Sequence, residues 1–210
     1  LDWLMNPVMP YLGDEALTIF GPFEGFTFKF KVALYVTLVF TSPILIWQVL
    51  AFFLPALKPK ERRYFVPTFI AAVLLFVAGN WFCYSVVLAK AFEWLIGQAA
   101  GLQVIPAAPA FLTGITLLML GFGLAFELPV VVFYLIAFGI VPYKKMRENW
   151  RVAYVALLIV ASVATPDWSP VTMGALFAAL LVLYEGSLAL ARVLLVKRIR
   201  AQQAAELAEE

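Results

Sequence analysis

Histidine is absent from the 210 residues, and cysteine occurs once, as Cys83. The first absence removes imidazole metal sites and any nucleophile activated by histidine. The second removes an internal disulfide and a cysteine-built metal cluster. Charge is scarce as well. Asp, Glu, Lys and Arg make up 13% of the chain, about half the share in an ordinary soluble domain. A net charge of +2 leaves no electrostatic footprint for nucleic acid. No glycine-rich phosphate loop, catalytic triad or metal-ligand spacing occurs. What is plentiful is apolar: 64% of residues, against roughly 45–50% in a soluble domain. These features imply an integral membrane protein, expected to be an all-α, polytopic membrane helical bundle.

The uncharged runs place the spans. Val32–Leu57 and Tyr64–Ala89 each hold 26 residues without a charge. Trp94–Phe126 holds 33 and continues past Glu127 to Tyr143. Val152–Pro166 holds 15, and Trp168–Tyr184 holds 17 and continues past Glu185 to Ala191. A helix needs about 20 residues to cross a ~30 Å hydrocarbon core. Gly97, Gly101, Pro106 and Pro109 mark a loop within the long run. Five helices are therefore expected, at 29–56, 65–92, 111–141, 151–165 and 170–195. They form one integral membrane domain, with residues 1–28 as an outer cap and 196–210 as a tail. Pro43 is expected to kink the first helix at Val39, and Pro129 the third beside Glu127.

Twelve of the fifteen basic residues fall in the 58–63 and 144–151 loops and the end of the chain. The positive-inside rule makes that side cytoplasmic and the C-terminus cytoplasmic. Five spans then leave residues 1–28 outside. Asp2, Asp14, Glu15 and Glu24 are there without a basic residue, and no signal-peptide pattern precedes them. The expected remedy is a missing upstream helix whose outer end is Leu1–Met5.

Few polar residues interrupt the spans. Glu127 lies about 24 Å along its helix from Phe111, near mid-membrane, where an acid must face the bundle or water. It is read either as a site for a partner, a substrate group or a proton, or as a neutral acid in an interhelical hydrogen bond. Glu185 is read either as sharing a polar cavity with it or as a structural acid, and its small neighbours Gly186, Ser187 and Ala189 suit close helix packing. Asn80 and Gln48 read as packing groups. Glu61 is the lone acid of a basic loop. It is either a solvated charge or a carboxylate able to grip a guanidinium in two places.

Several stretches resemble one family. Gln48–Leu57 followed by Lys60-Glu61-Arg62-Arg63 is similar to the first cytoplasmic loop of TatC, the multispanning subunit of the twin-arginine protein translocase. Pro22–Phe26 with Lys31, Phe122–Pro129 and Ala164–Asp167 resemble further segments of the same family, in order. The resemblance implies six helices in a concave, glove-like bundle, of which the second to sixth are present here. It implies a receptor and scaffold in the bacterial inner membrane, driven by the proton-motive force, with no cofactor. Its partners would be twin-arginine signal peptides, TatA and TatB type single-span subunits, and further copies in a complex. By position, Glu61 would hold the signal's arginines, with Gln48, Phe52, Pro55 and Arg62 shaping the loop. Glu127 would lie in the concave face, and Thr165, Pro166 and Asp167 would border the small-subunit contact. The family's usual glutamine near the start of the sixth helix is replaced here by the Pro170–Thr172 region. The alternative function is a proton-coupled transporter that uses Glu127 and Glu185.

Overall fold

The computed structural model describes residues 21–53, 65–98, 107–138, 140–165 and 169–196, with residues 6, 55 and 62. Nearly all of these are helical. α1 is Pro22–Phe53 and α2 is Phe65–Phe82. A π-helical segment, Cys83–Val87, joins α2 to α3, Leu88–Gln98. α4 is Ala108–Ala125, α5 is Leu128–Phe138 and α6 is Tyr143–Glu148. α7 is Trp150–Ala164 and α8 is Pro170–Leu194. Four stretches among the described residues are long and apolar enough to cross a membrane: Phe23–Phe52, Phe65–Gln98, Pro109–Ala137 and Pro170–Leu194. Trp150–Ala164 is a shorter fifth.

Helix ends differ from the expected ones where charge was used to stop a helix. α1 begins at Pro22, not 29, so the expected cap of residues 1–28 overlaps it. Proline is suited to a first helical position, and Glu24 in the first turn complements the helix dipole. The second span runs on to Gln98, past Lys90 and Glu93, both of which are exposed. The expected third helix is two helices, separated by a turn at Phe126–Glu127. Pro129 has no N–H for the Ala125 carbonyl, and the chain turns there. Instead, the amides of Val130 and Val131 both donate to the Glu127 carbonyl, at 3.0 and 3.2 Å.

At Pro43 the helix is not interrupted: α1 runs from Pro22 to Phe53. Here the Ser42 hydroxyl donates to the Val39 carbonyl at 2.7 Å. That is the carbonyl which Pro43 leaves without an amide.

α4 is the centre of the bundle. It packs against α1, α2 and α7, while α8 packs against α5 and α7. Phe122 and Ile115 of α4 are fully buried, as are Leu176 and Leu180 of α8. Three glycines allow these helices to approach. A Cβ on Gly79 would lie 2.8 Å from the Phe122 carbonyl oxygen. One on Gly121 would lie 2.5 Å from the Ala164 carbonyl oxygen, and one on Gly123 would strike the Asn80 side chain. Gly186 is not among them: a Cβ there meets nothing within 4 Å. The expected close packing at Gly186 is therefore replaced by open space. Asn80 is a packing group, as its composition suggested. Its Oδ1 accepts from the Tyr35 hydroxyl at 2.7 Å, and its Nδ2 donates to the Phe76 carbonyl at 2.9 Å. This ties α1 to α2.

The π segment keeps the second span facing the core. Counted at about 100° per residue, Phe65, Ala72, Phe76, Gly79 and Cys83 stay within about 40° of one line. Leu88 and Ala91 would fall about 80–140° away from that line, yet both are buried. The wider π turn absorbs one residue and brings them back.

Candidate functional site

The loop site begins at the end of α1. Trp47 packs edge-on against Phe65 and Phe69 of α2, with ring centroids 5.0 and 5.1 Å away. The end of α1 is thereby fixed beside the start of α2. Gln48, Pro55 and Arg62 are exposed there, and Phe52 is 78% exposed. Glu61 lies outside the described residues.

Glu127 occupies the turn between α4 and α5. Its Oε1 is buried and has no hydrogen-bond partner. The side chain lines a cavity of about 360 Å3, with Leu45, Val49 and Leu50 of α1 and Val130 and Tyr134 of α5. An unpaired buried carboxyl is costly. Such a group either keeps its proton or takes a donor from whatever enters the cavity.

Glu185 sits elsewhere. Its Oε2 accepts from Arg147 Nη1 at 2.6 Å, and its Oε1 accepts from the Tyr154 hydroxyl at 2.9 Å. The Glu185 partner, first by hydrogen bond and then by charge, holds the Arg147 guanidinium above its ordinary range. The Tyr184 hydroxyl donates to the Met146 carbonyl at 3.2 Å, so α6 is fastened to α8 twice. Trp150 and Tyr154 complete a separate cavity of about 390 Å3 around Arg147 and Glu185. Of the two readings of Glu185, the cavity shared with Glu127 is not formed. An arginine on the short helix α6 reaches Glu185, and Glu127 keeps its own pocket. With Arg147 more than half exposed, the pair is a solvated clamp. Arg147→Ala is expected to lower the thermal midpoint only slightly, and the difference should shrink as salt is raised. Melting curves at low and high ionic strength would check this.

At the other end of the bundle, Thr165 is buried and its hydroxyl donates to the Ala161 carbonyl at 2.9 Å. Pro166 and Asp167 lie outside the described residues. Ser169 caps α8: its Oγ accepts from the Thr172 amide at 3.1 Å. A serine directly before a proline carries that signal in sequence. The Arg147–Glu185 pair had no such signal, because 38 residues separate its members.

The chain matches the family described as Sec-independent protein translocase protein (TatC) over residues 1–178. The TatC protein of Koribacter versatilis is 30% identical over 213 residues, covering 100% of this chain and 79% of that one. The TatC protein of Deinococcus radiodurans is 34% identical over 166 residues, covering 79% of this chain and 62% of that one. A crystal structure of the twin-arginine translocase receptor TatC in DDM superposes with a TM-score of 0.77 at 26% identity. It covers 90% of this chain and 85% of the other. The chain belongs to the TatC family: it is a multi-pass membrane component of a Sec-independent protein translocase, a transport subunit and not an enzyme.

Proposed function

We propose that this chain is the receptor and scaffold subunit of a twin-arginine translocase in a bacterial cytoplasmic membrane, with its C-terminus cytoplasmic. The observation that carries the reading is the superposition, over 90% of the chain, on a structure described as a twin-arginine translocase receptor. The charge distribution supports the orientation, since the loop before α2 and the segment around α6 are both basic.

Glu61 takes the signal's arginines, because a carboxylate can accept two parallel N–H bonds from one guanidinium. Gln48, Phe52, Pro55 and Arg62 frame it, and the exposed ring of Phe52 meets the apolar stretch of the signal. The cavity beside Glu127 receives a polar group of the signal or of a partner helix. Thr165, Pro166 and Asp167 border the contact with TatA and TatB type subunits, and further copies of the chain join the complex. Proton-coupled transport by a Glu127–Glu185 pair has less support, because the two acids line different cavities and Glu185 is already paired.

The test is photo-crosslinking from position 60, beside Glu61, in membranes that carry the full chain. The baits are a twin-arginine signal peptide and its twin-lysine counterpart. A crosslink that requires the arginines and disappears in Glu61→Ala is expected. Equal crosslinking of both baits, or none to a folded and inserted chain, would remove the receptor reading.

A further inference from the structure

The cavity around Arg147 and Glu185 takes no part in the reading above. It holds about 390 Å3 and is walled by Arg147, Trp150, Tyr154 and Glu185. Charges of both signs and two aromatic rings therefore border one space. The Trp150 and Tyr154 rings meet edge-on, with centroids 5.2 Å apart. The Arg151 guanidinium stands over the Trp150 ring, 5.3 Å from its centroid, and adds a second cation at the rim. Neither member of the ion pair is saturated. Among the described residues, Glu185 accepts one bond on each oxygen, from Arg147 and from Tyr154. A carboxylate has about four acceptor positions. Arg147 donates to Glu185 from Nη1, and the rest of its guanidinium carries further N–H groups.

The cavity lies where helices enter the membrane. α5 ends at Phe138 and α7 begins at Trp150, with α6 between them. Aromatic rings at the start of an apolar helix mark the headgroup level. From there inward, Arg151, Val155, Ile159 and Val163 follow at a spacing of four on one face of α7, and all four are exposed. An apolar track thus starts beside a charged seat. The seat selects the headgroup. A carboxylate with two aromatic rings favours a cation, and two guanidiniums favour a phosphate. A headgroup with a phosphate alone would face Glu185 without a counter-charge. A trimethylammonium has no N–H to give the carboxylate, whereas a primary ammonium does. A headgroup with both a phosphate and a primary ammonium inserts its own ion pair into the Arg147–Glu185 pair, and every charge stays opposed.

We propose that this cavity seats the headgroup of an ethanolamine-type phospholipid. The ammonium donates to Glu185 beside the Trp150 and Tyr154 rings, and the phosphate accepts from Arg147 and Arg151. An acyl chain follows Val155, Ile159 and Val163 along α7.

Native mass spectrometry of the full chain in mild detergent tests this. The protein is titrated with phosphatidylethanolamine, phosphatidylcholine or phosphatidylglycerol of identical acyl chains. One phosphatidylethanolamine should be retained about tenfold more tightly than either of the others, the worth of a hydrogen bond to a charged group. Glu185→Gln should bring phosphatidylethanolamine down to the level of phosphatidylcholine and leave the latter unchanged. Trp150→Leu, at an exposed position, is the second variant should Glu185→Gln fail to fold. It should weaken phosphatidylethanolamine about threefold. Soluble glycerophosphoethanolamine has the same headgroup without acyl chains and should not displace the lipid at equal concentration. Three outcomes overturn the proposal. They are equal or weaker retention of phosphatidylethanolamine beside the other two lipids in the parent chain, an undiminished preference in the folded variants, and displacement by the soluble headgroup.

Discussion

Glu127→Leu is expected to raise the thermal stability of the purified protein while lowering export. The argument begins at Oε1, which is buried without a hydrogen-bond partner. A polar group left in that state costs about 1–3 kcal/mol. Leucine removes the cost and fits surroundings already made of Leu45, Leu50 and Val130. In a chain of this size, each kcal/mol moves the melting midpoint by about 2–4 °C. A residue that reduces stability and is not structural has its use in what enters the cavity, so export should fall as stability rises. Glu127→Gln separates charge from polarity, because the amide is neutral yet still offers a carbonyl acceptor, with N–H donors in place of the second oxygen. Melting curves in detergent and export of a signal-bearing reporter in cells make the two measurements. A leucine variant that melts well below the parent would show that the carboxyl holds the bundle together, and the functional assignment would then be wrong.

Gly121→Val should be among the most damaging single changes in the chain. A Cβ at this position would lie 2.5 Å from the Ala164 carbonyl oxygen and 3.4 Å from its carbon. Both atoms are backbone, so no rotamer change relieves the contact. α4 and α7 would have to separate, although α4 is the helix around which the core is built. Overpacking of a well-filled core costs typically about 1–3 kcal/mol, and a backbone obstacle places this case at the upper end. Gly114→Val is the control, since a Cβ there meets nothing within 4 Å. It should change stability by no more than about 0.5 kcal/mol. Similar melting of the two variants would contradict the helix contact at Gly121.

The two glycines also show where sequence reading stops. Gly114, Gly121 and Gly123 are neighbours on one helix and look alike in sequence. Only the placement of Ala164 and Asn80 from other helices separates the constrained pair from the free one. The spans themselves were legible, because a membrane demands long uncharged runs and the chain has them. Their ends were less so. Lys90 and Glu93 are exposed on a helix that extends beyond the apolar run, so the absence of charge marks where lipid ends and not where the helix ends. A bend at Glu127 was legible from Pro129, because the missing amide is a local fact, but the full break into two helices was not. The Ser42 hydroxyl's bond to the Val39 carbonyl, beside Pro43, was not legible, because side-chain type alone does not decide it. Glu127 could be placed near mid-membrane by counting. The partner of Glu185 could not be found this way, because Arg147 reaches it from a different helix.

The π segment at Cys83–Val87 has a consequence for comparing this chain with its relatives. It acts as a one-residue insertion spliced into a helix without breaking it. A relative with an ordinary α-turn there would be one residue shorter across the span, and the gap would belong inside the helix, between the Gly79 and Leu88 contacts. An alignment that moved the gap to the following loop would mispair every position from Leu88 to Gln98 by one. Conserved core positions would then appear variable, and lipid-facing ones conserved.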